Sequence, residues 1–337
     1  MRWCWRNSGS AFAALPASLL AQIEYEEGRV TTAEALLHDR LPVIARAGNI
    51  ECAIRAYRVL ARASAQRGQL NYAMAILQEA ESLGEKRDWP RLVAASLGDR
   101  IDLSIRHGQG AEAENLADRL SRLAARRASR DGVTQREIEW HAALGRCRVA
   151  LARGPAHSVL ASLRQLEYEA ASRKNMYLRL QVELHMVDVL MGLGDVDEAL
   201  GILIEALEFG AIAGLCSSFL EGGAGVGAGL RLLHDSDLGT GDGVREILPY
   251  VGSLLGQGAR RGPAAAERPV ARSSSQLSSR ERDILRLAGT GLSNKEIAKS
   301  LEIAPETVKS YFKQIFVKLG AGTRAEAVSK AQGLGLI

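Results

Sequence analysis

Five glycines constrain this chain more than any other feature. Gly28, Gly68, Gly108, Gly154 and Gly194 follow one another at spacings of 40, 40, 46 and 40 residues. Five positions after each stand Ala33, Ala73, Ala113, Val159 and Ala199. Nine after come Leu37, Leu77, Ala117, Leu163 and Leu203, and seven before come Ala21, Ala61, Ile101, Cys147 and Val187. Each glycine lies between two amphipathic runs, as in EEGRVTTAEALL and QRGQLNYAMAIL. Each unit therefore predicts a helix, a tight turn and a second helix, with small residues at a fixed offset so that the pair can approach closely. A period near 40 residues predicts an all-α, right-handed solenoid in which neighbouring helix pairs bury a continuous core. The Gly154 unit is the poorest copy. Its turn reads ARGPAHSV, and its extra residues are expected as a loop around Ala128–Gln135. The repeat domain is placed at residues 1–255.

The stretch 256–276, GQGARRGPAAAERPVARSSSQ, has no apolar periodicity and predicts a flexible linker. From Leu277 to Ile337 a different module follows. Ser278, Ser293 and Thr323 each stand three residues before a glutamate (Glu281, Glu296, Glu326), the spacing of a capping box. Pro305 suits a first helical turn, Ala304 before it is a poor cap, and Gly289, Gly291, Gly320 and Gly322 suit helix ends. Four short helices are expected, near 279–288, 294–301, 305–319 and 324–332. Only Glu302-Ile303-Ala304 joins the second to the third, which forces a helix-turn-helix corner. Val308, Phe312, Ile315 and Leu319 form one inward stripe, with Ile284, Leu285, Leu287, Ile297, Leu301 and Ile303 as its partners. Lys309, Ser310 and Lys313 then fall on the opposite face, a pattern suited to the major groove of DNA. Asn294 and Lys295 open the preceding helix, where free N–H groups favour a phosphate.

Charge supports that assignment. The chain carries 43 Lys and Arg against 39 Asp and Glu, a net of +4, and the part from Gln276 onward holds ten against six. The whole positive excess therefore sits on the C-terminal module, a nucleic-acid footprint.

The segment LSSRERDILRLAGTGLSNKEIAKSLEIAPETVKSYFKQIFVKLGAGTRAEAV resembles the C-terminal domain of LuxR-type transcription regulators. The resemblance implies that the third helix enters the major groove. It places base-facing positions on Lys309, Ser310 and Lys313 and phosphate-contacting positions on Asn294, Lys295 and Thr307. Tyr311 stands where that family often has His, and Ala304 where it often has Ser or Thr. The repeat region resembles tetratricopeptide-like arrays, and more narrowly the sensor superhelix of activators of the maltose-regulon kind. FLEGGAGVGAGLRLL, Phe219 to Leu233, is similar to the segment that closes such an array. Those activators also carry an ATPase, yet no GxxxxGK[ST] occurs in these 337 residues. Loss of the ATPase and a piece of a longer regulator both remain open.

Other signals point away from catalysis. The run GGAGVGAG fails both phosphate-loop spacings. Arg119, Arg122, Arg126, Arg127 and Arg130 predict a solvated face, with a second DNA or acidic-partner contact as the alternative. The six histidines never cluster at ligand spacing, and Cys4, Cys52, Cys147 and Cys216 suit a reducing cytosol, with Cys52 and Cys147 as packing thiols. The acidic residues of the repeats are expected at the surface. The N-terminal apolar run is broken by Pro16, which argues against a secretion signal, and no run is long enough to span a membrane.

The sequence thus predicts a cytoplasmic, non-enzymatic, cofactor-free regulator. Its expected partners are promoter DNA bound as a homodimer, a small molecule or protein on the solenoid's concave face that controls self-association, and RNA polymerase. The alternative is an interaction scaffold whose C-terminal domain serves docking or dimerisation.

Overall fold

The structure is a computed structural model. It describes residues 14–126, 132–235, 242–261 and 279–301, then 308, 309, 311, 312, 315, 316, 321, 323–333 and 337. They fall into two compact units, Met1–Ala264 and Ala265–Ile337. Among the described residues every regular element is a helix.

The first unit opens with α1 (Ala14–Glu26), α2 (Val30–His38), α3 (Leu41–Ala47), α4 (Ile50–Gln66) and α5 (Leu70–Lys86). It continues with α6 (Pro90–Arg106), α7 (Gly110–Arg126), α8 (Gly132–Arg153), α9 (His157–Ser172), α10 (Met176–Leu193) and α11 (Val196–Ala213). It ends with α12 (Ser217–Leu220), α13 (Ala224–Asp235) and α14 (Asp242–Arg261). The five expected glycines all occupy turns between paired helices, and all have positive φ, from 71° at Gly108 to 140° at Gly154. A side chain is strained in that region, which explains why the positions are glycine. The flanking offsets are the core. Ala33, Ala73, Ala113 and Ala199 are at most 1% exposed, and Leu37, Leu77, Leu163, Leu203, Ala21, Ala61, Ile101 and Val187 are equally buried.

The turns between successive pairs carry a second series of positive φ values. Asp88 (52°), Lys174 (54°) and Gly214 (67°) each fall twenty residues after a repeat glycine. The backbone period is therefore a half-unit of about twenty residues, and two of its positions tolerate a left-handed side chain at a cost of about 1–2 kcal/mol each.

Helices α1, α4, α6, α8, α10 and α13 pack each on the next, and α12 packs back on α1. The array is thus closed by its own last turn. Glu26 O accepts from Cys216 N at 2.7 Å, and Tyr25 O accepts from Ser217 Oγ at 2.5 Å. Ser218 donates to the Glu26 carboxylate through N at 3.1 Å and through Oγ at 2.9 Å. The closing segment expected at Phe219–Leu233 does close the array, with Phe219 only 2% exposed.

Two expected boundaries move. Gly132–Gln135 belong to α8, where Gln135 is buried and donates to Ala124 O at 3.0 Å, so they are not loop. Residues 127–131 lie outside the described residues. Helix α14 runs to Arg261, six residues past the expected domain end at 255, because Val251 and Leu254 bury against the α11–α13 core and Gln257 still receives the Cys216 thiol. The rest of the linker stretch, 262–276, is outside the described residues.

The second unit contains α15 (Ser279–Gly289), α16 (Asn294–Ser300) and α17 (Arg324–Gly333), with helical residues at 308, 309, 311, 312, 315 and 316 between the last two. Its core joins Ile284, Leu285, Ile297, Val308, Phe312, Ile315, Ala327 and Ala331. That is the stripe and partner set expected from spacing; Leu287 and Leu301 pack at its margin, and Leu319 and Ile303 are outside the described residues.

Candidate nucleic-acid interface and repeat interior

The start of α16 is held by a complete capping box. Ser293 accepts from Glu296 N, and the Glu296 carboxylate accepts from Ser293 N at 2.7 Å. Those backbone hydrogen bonds lower the Glu296 pKa. At the start of α17 Thr323 accepts from Glu326 N at 3.3 Å, while the Glu326 carboxylate receives Lys330 at 2.8 Å. Ser278 of the third expected box is outside the described residues.

Lys309 is exposed on the segment whose Val308, Phe312 and Ile315 are at most 5% exposed. Lys295 is exposed and Asn294 half-buried on the first turn of α16. Thr307, Ser310 and Lys313 are outside the described residues, as are Pro305 and the Glu302–Ala304 corner.

Spacing gave no hint of Arg324. Its guanidinium donates to Leu292 O and, at 3.3 Å, to both Ala288 O and Asn294 Oδ1. It also lies 5.1 Å from the centre of the Phe312 ring. One cation thus ties α17 to the end of α15, to the first residue of α16 and to the ring beneath the exposed face of the third helical segment. It orients Asn294 rather than standing free for DNA.

The repeat interior is the second constellation. The inner helices place charged side chains where a two-layer helix array would ordinarily put apolar ones. From α4, Arg58 and Arg62 reach Asp99 of α6 at 2.8 and 3.1 Å, and Arg62 also reaches Glu221 beside α12 at 3.4 Å. Asp102 of α6 pairs with Arg106 at 2.9 Å and lies 3.9 Å from Arg148 of α8. Arg148 donates to His185 Nε2 of α10 at 3.0 Å and to Gly98 O at 3.2 Å. Burial would raise the Asp99 carboxyl, but Arg58 and Arg62 outweigh it and hold it below the usual carboxylate range; Arg106 and Arg148 do the same for Asp102. Burial lowers the pKa of Arg148, which has the weakest carboxylate partner of the group.

His141 and His185 are pushed down to about 3, first by burial and then by the surrounding arginines. Both stay neutral in the fold. Their contribution to stability is present above the ordinary value of 6.5 and is lost as pH falls from 6.5 toward 3. Sequence separation hid the contact of His185 with Arg148, which are 37 residues apart. The expectation that acidic residues of the repeats lie at the surface also fails for Glu26, Glu81, Asp99, Asp102 and Glu183, each below 9% exposed. Arg119 of the basic run is one reason, since it serves Glu81. Cys52 and Cys147 are buried free thiols, as expected for packing residues. No helix among the described residues is long and apolar enough to cross a membrane.

The glycine run at 222–229 is explained by packing. A Cβ on Gly225 would lie 2.7 Å from the Asp188 backbone, and the Asp188 carboxylate accepts from Gly223 N and Val226 N at the start of α13. The chain's own carboxylate fills that helix start.

Residues 7–236 match the model of the MalT-like TPR region, and residues 275–331 match that of the bacterial regulatory proteins of the luxR family. The chain belongs to the MalT-like TPR family. Its C-terminal unit carries the LuxR-type helix-turn-helix domain. An HTH-type transcriptional regulator of Mycobacterium bovis is 42% identical over 77 residues, which are 23% of this chain and 9% of that protein. The HTH-type transcriptional activator RamA of Corynebacterium glutamicum is 45% identical over 62 residues, 18% of this chain and 22% of its own length. The HTH-type transcriptional regulator MalT of Yersinia pestis is 42% identical over 60 residues, 18% of this chain and 7% of its own length. The match to each of these relatives therefore spans under a quarter of that relative's length.

Proposed function

We propose that this chain is a DNA-binding transcription regulator whose helical-repeat unit receives a signal and controls self-association. The observation that carries the DNA-binding half is the outward face of the third helical segment. Lys309 is exposed there, opposite a buried Val308–Phe312–Ile315 stripe, next to an α16 start fixed by Ser293, Glu296 and Arg324. Lys309, Ser310 and Lys313 are assigned to base edges, and Asn294, Lys295 and Thr307 to phosphates. The regulator names of the matched relatives favour the same reading. One such module covers few base pairs, so promoter recognition uses two copies on paired half-sites. The repeat unit (1–255, extended by α14) is the sensor, the stretch from 262 to 276 the tether, and 277–337 the DNA-binding domain. RNA polymerase is a further partner, the site of action is the cytoplasm, and no catalysis is assigned.

The test is the double change Lys309→Ala with Lys313→Ala, measured by footprinting and circular dichroism. Each lost contact costs about 1–3 kcal/mol, so specific binding is abolished while helical content stays constant. A footprint that survives overturns the assigned reading face. Duplex binding that does not weaken steeply with salt favours the docking-scaffold alternative instead.

A further inference from the structure

The repeat interior holds a small pocket lined by three arginines. Between α1, α4 and α10, the side chains of Gln22, Arg55, Arg58, Arg62 and Tyr177 meet Tyr25 and Glu26 around one pocket, with room for about one or two water-sized groups. The three arginines stand at steps of three and four on α4 and so share one helix face. Their protein partners are too few. Arg58 and Arg62 share Asp99, Arg62 also reaches Glu221, and Arg58 reaches Asp99 through Nε alone among the described residues. Among the described residues Arg55 pairs with Glu51 alone, at 3.7 Å, and Arg91 already holds Glu51 at 2.7 Å. Glu26 lies in the field of Arg62 but directs its hydrogen bonds elsewhere. Its carboxylate accepts from Tyr177 Oη at 2.7 Å and from Ser218 N and Oγ, and it forms no ion pair with these arginines among the described residues. Deeper in, Arg106 and Arg148 share Asp102, so the four guanidinium groups of Arg58, Arg62, Arg106 and Arg148 face the three carboxylates Asp99, Asp102 and Glu221 among the described residues.

We infer that this pocket receives one oxyanion head group, a phosphate or carboxylate, of a small-molecule effector. The inference rests on the reading of the repeat unit as a sensor. Guanidinium forks match both head groups with paired hydrogen bonds, and the confined space selects the head group while the rest of the molecule stays outside. Location gives the site its consequence. Tyr25, Glu26 and Tyr177 line the pocket and also form the clasp that ties α1 to α10 and α12. Arg62 is shared between the pocket and Glu221 of that clasp. An anion that draws Arg62 changes how firmly the array is closed, to the extent that it binds the closed and opened arrays unequally.

The test uses the full chain, titrated calorimetrically with inorganic phosphate and with succinate against potassium chloride of equal ionic strength. Saturable one-site binding of either anion is expected, together with a raised unfolding temperature. Arg55→Gln weakens that binding about tenfold, the scale of one lost charge-assisted bond. Arg164→Gln, a change in an exposed α9 pair with Glu198, leaves it unchanged. Arg55→Lys, which keeps the charge without the fork and replaces the first variant if that one unfolds, weakens it by a smaller factor. The anion that binds identifies the head group. No saturable binding of either anion overturns the site, and so does binding that survives every change at Arg55. Duplex binding is measured on the same preparations without added anion, so loss of this site is distinguishable from loss of the regulator reading.

Discussion

The two units of this chain use arginine and lysine in opposite ways. The repeat unit turns charges inward: Arg58, Arg62, Arg148, Asp99 and Asp102 have side chains at most 19% exposed, held in ion pairs across α4, α6 and α8. The C-terminal unit keeps an apolar interior of Ile284, Ile297, Val308, Phe312 and Ile315 and leaves Lys295 and Lys309 in solvent. The net charge of +4 lies on the stretch from Gln276 onward, although the first unit holds most of the arginines. Charge count therefore points to the unit that carries the LuxR-type helix-turn-helix domain, but it says nothing about which charges are structural. A buried cation whose carboxylate is already present has little long-range field left to offer a phosphate backbone; an exposed one has more of it.

The largest expected effect tests whether the inward charges hold the repeat unit together. Asp99→Ala leaves Arg58 and Arg62 without their shared buried carboxylate, a loss of about 3–5 kcal/mol. Denaturant unfolding followed by circular dichroism is expected to show the transition of the repeat unit moving and that of the C-terminal unit staying in place. Removing an outward charge of the same unit, Arg164→Ala, costs about 0–1 kcal/mol because its pair with Glu198 is exposed. Equal effects from the two changes would erase the contrast.

Much of this division was legible. The repeat glycines named the turns, their offsets named the buried residues, and the capping spacing at Ser293 named a helix start to the residue. Three things were not legible, each for a physical reason. Asp88 and Lys174 occupy the same left-handed turns as the glycines, so a search by residue type skips half the period. Arg58, Arg62 and Asp99 follow helical spacing on polar faces, and a polar face looks the same whether it meets solvent or the inside of a closed array. The contact of Glu26 with Ser218 spans 192 residues, and only closure of the array brings them together. Arg324 was hidden in a similar way: its carbonyl partners, Leu292 O and Ala288 O, leave no mark on side-chain spacing.

A middle-sized effect sharpens the comparison by pH. Glu183 of α10 is pushed up to about 7, first by burial and then by Glu167 and Glu205, against the pull of Arg179 at 2.8 Å. A carboxyl with a raised folded value contributes stability that is full below its ordinary 4.5 and is lost as pH rises through about 7. Glu183→Gln removes that loss. The variant is expected to melt higher than the parent chain at pH 8, by on the order of 2 kcal/mol, and to differ little at pH 5. A shift of the same size at both pH values would mean that packing at Glu183, not its ionisation, governs the effect.

The smallest effect belongs to the outward-charged unit and asks whether its exposed face depends on its caps. Ser293→Ala removes the hydroxyl half of the α16 box, because the Glu296 carboxylate keeps the backbone N–H of residue 293 but no hydroxyl answers Glu296 N. The cost is about 1 kcal/mol of stability. Thr323→Ala at α17 likewise removes a single hydroxyl bond, of 3.3 Å, at a similar cost. The two caps separate on DNA. Ser293 adjoins Asn294 and Lys295, the residues proposed above for phosphate contact, so on that proposal its loss lowers duplex affinity beyond what the stability change accounts for, and lowers it uniformly across sequences. Thr323 precedes Arg324, which works inside the unit. Its replacement is expected to shift the melting temperature with little change in duplex affinity. If both variants bound duplex equally well, the start of α16 would hold the fold without touching the phosphates, and the outward face would reduce to the third helical segment alone.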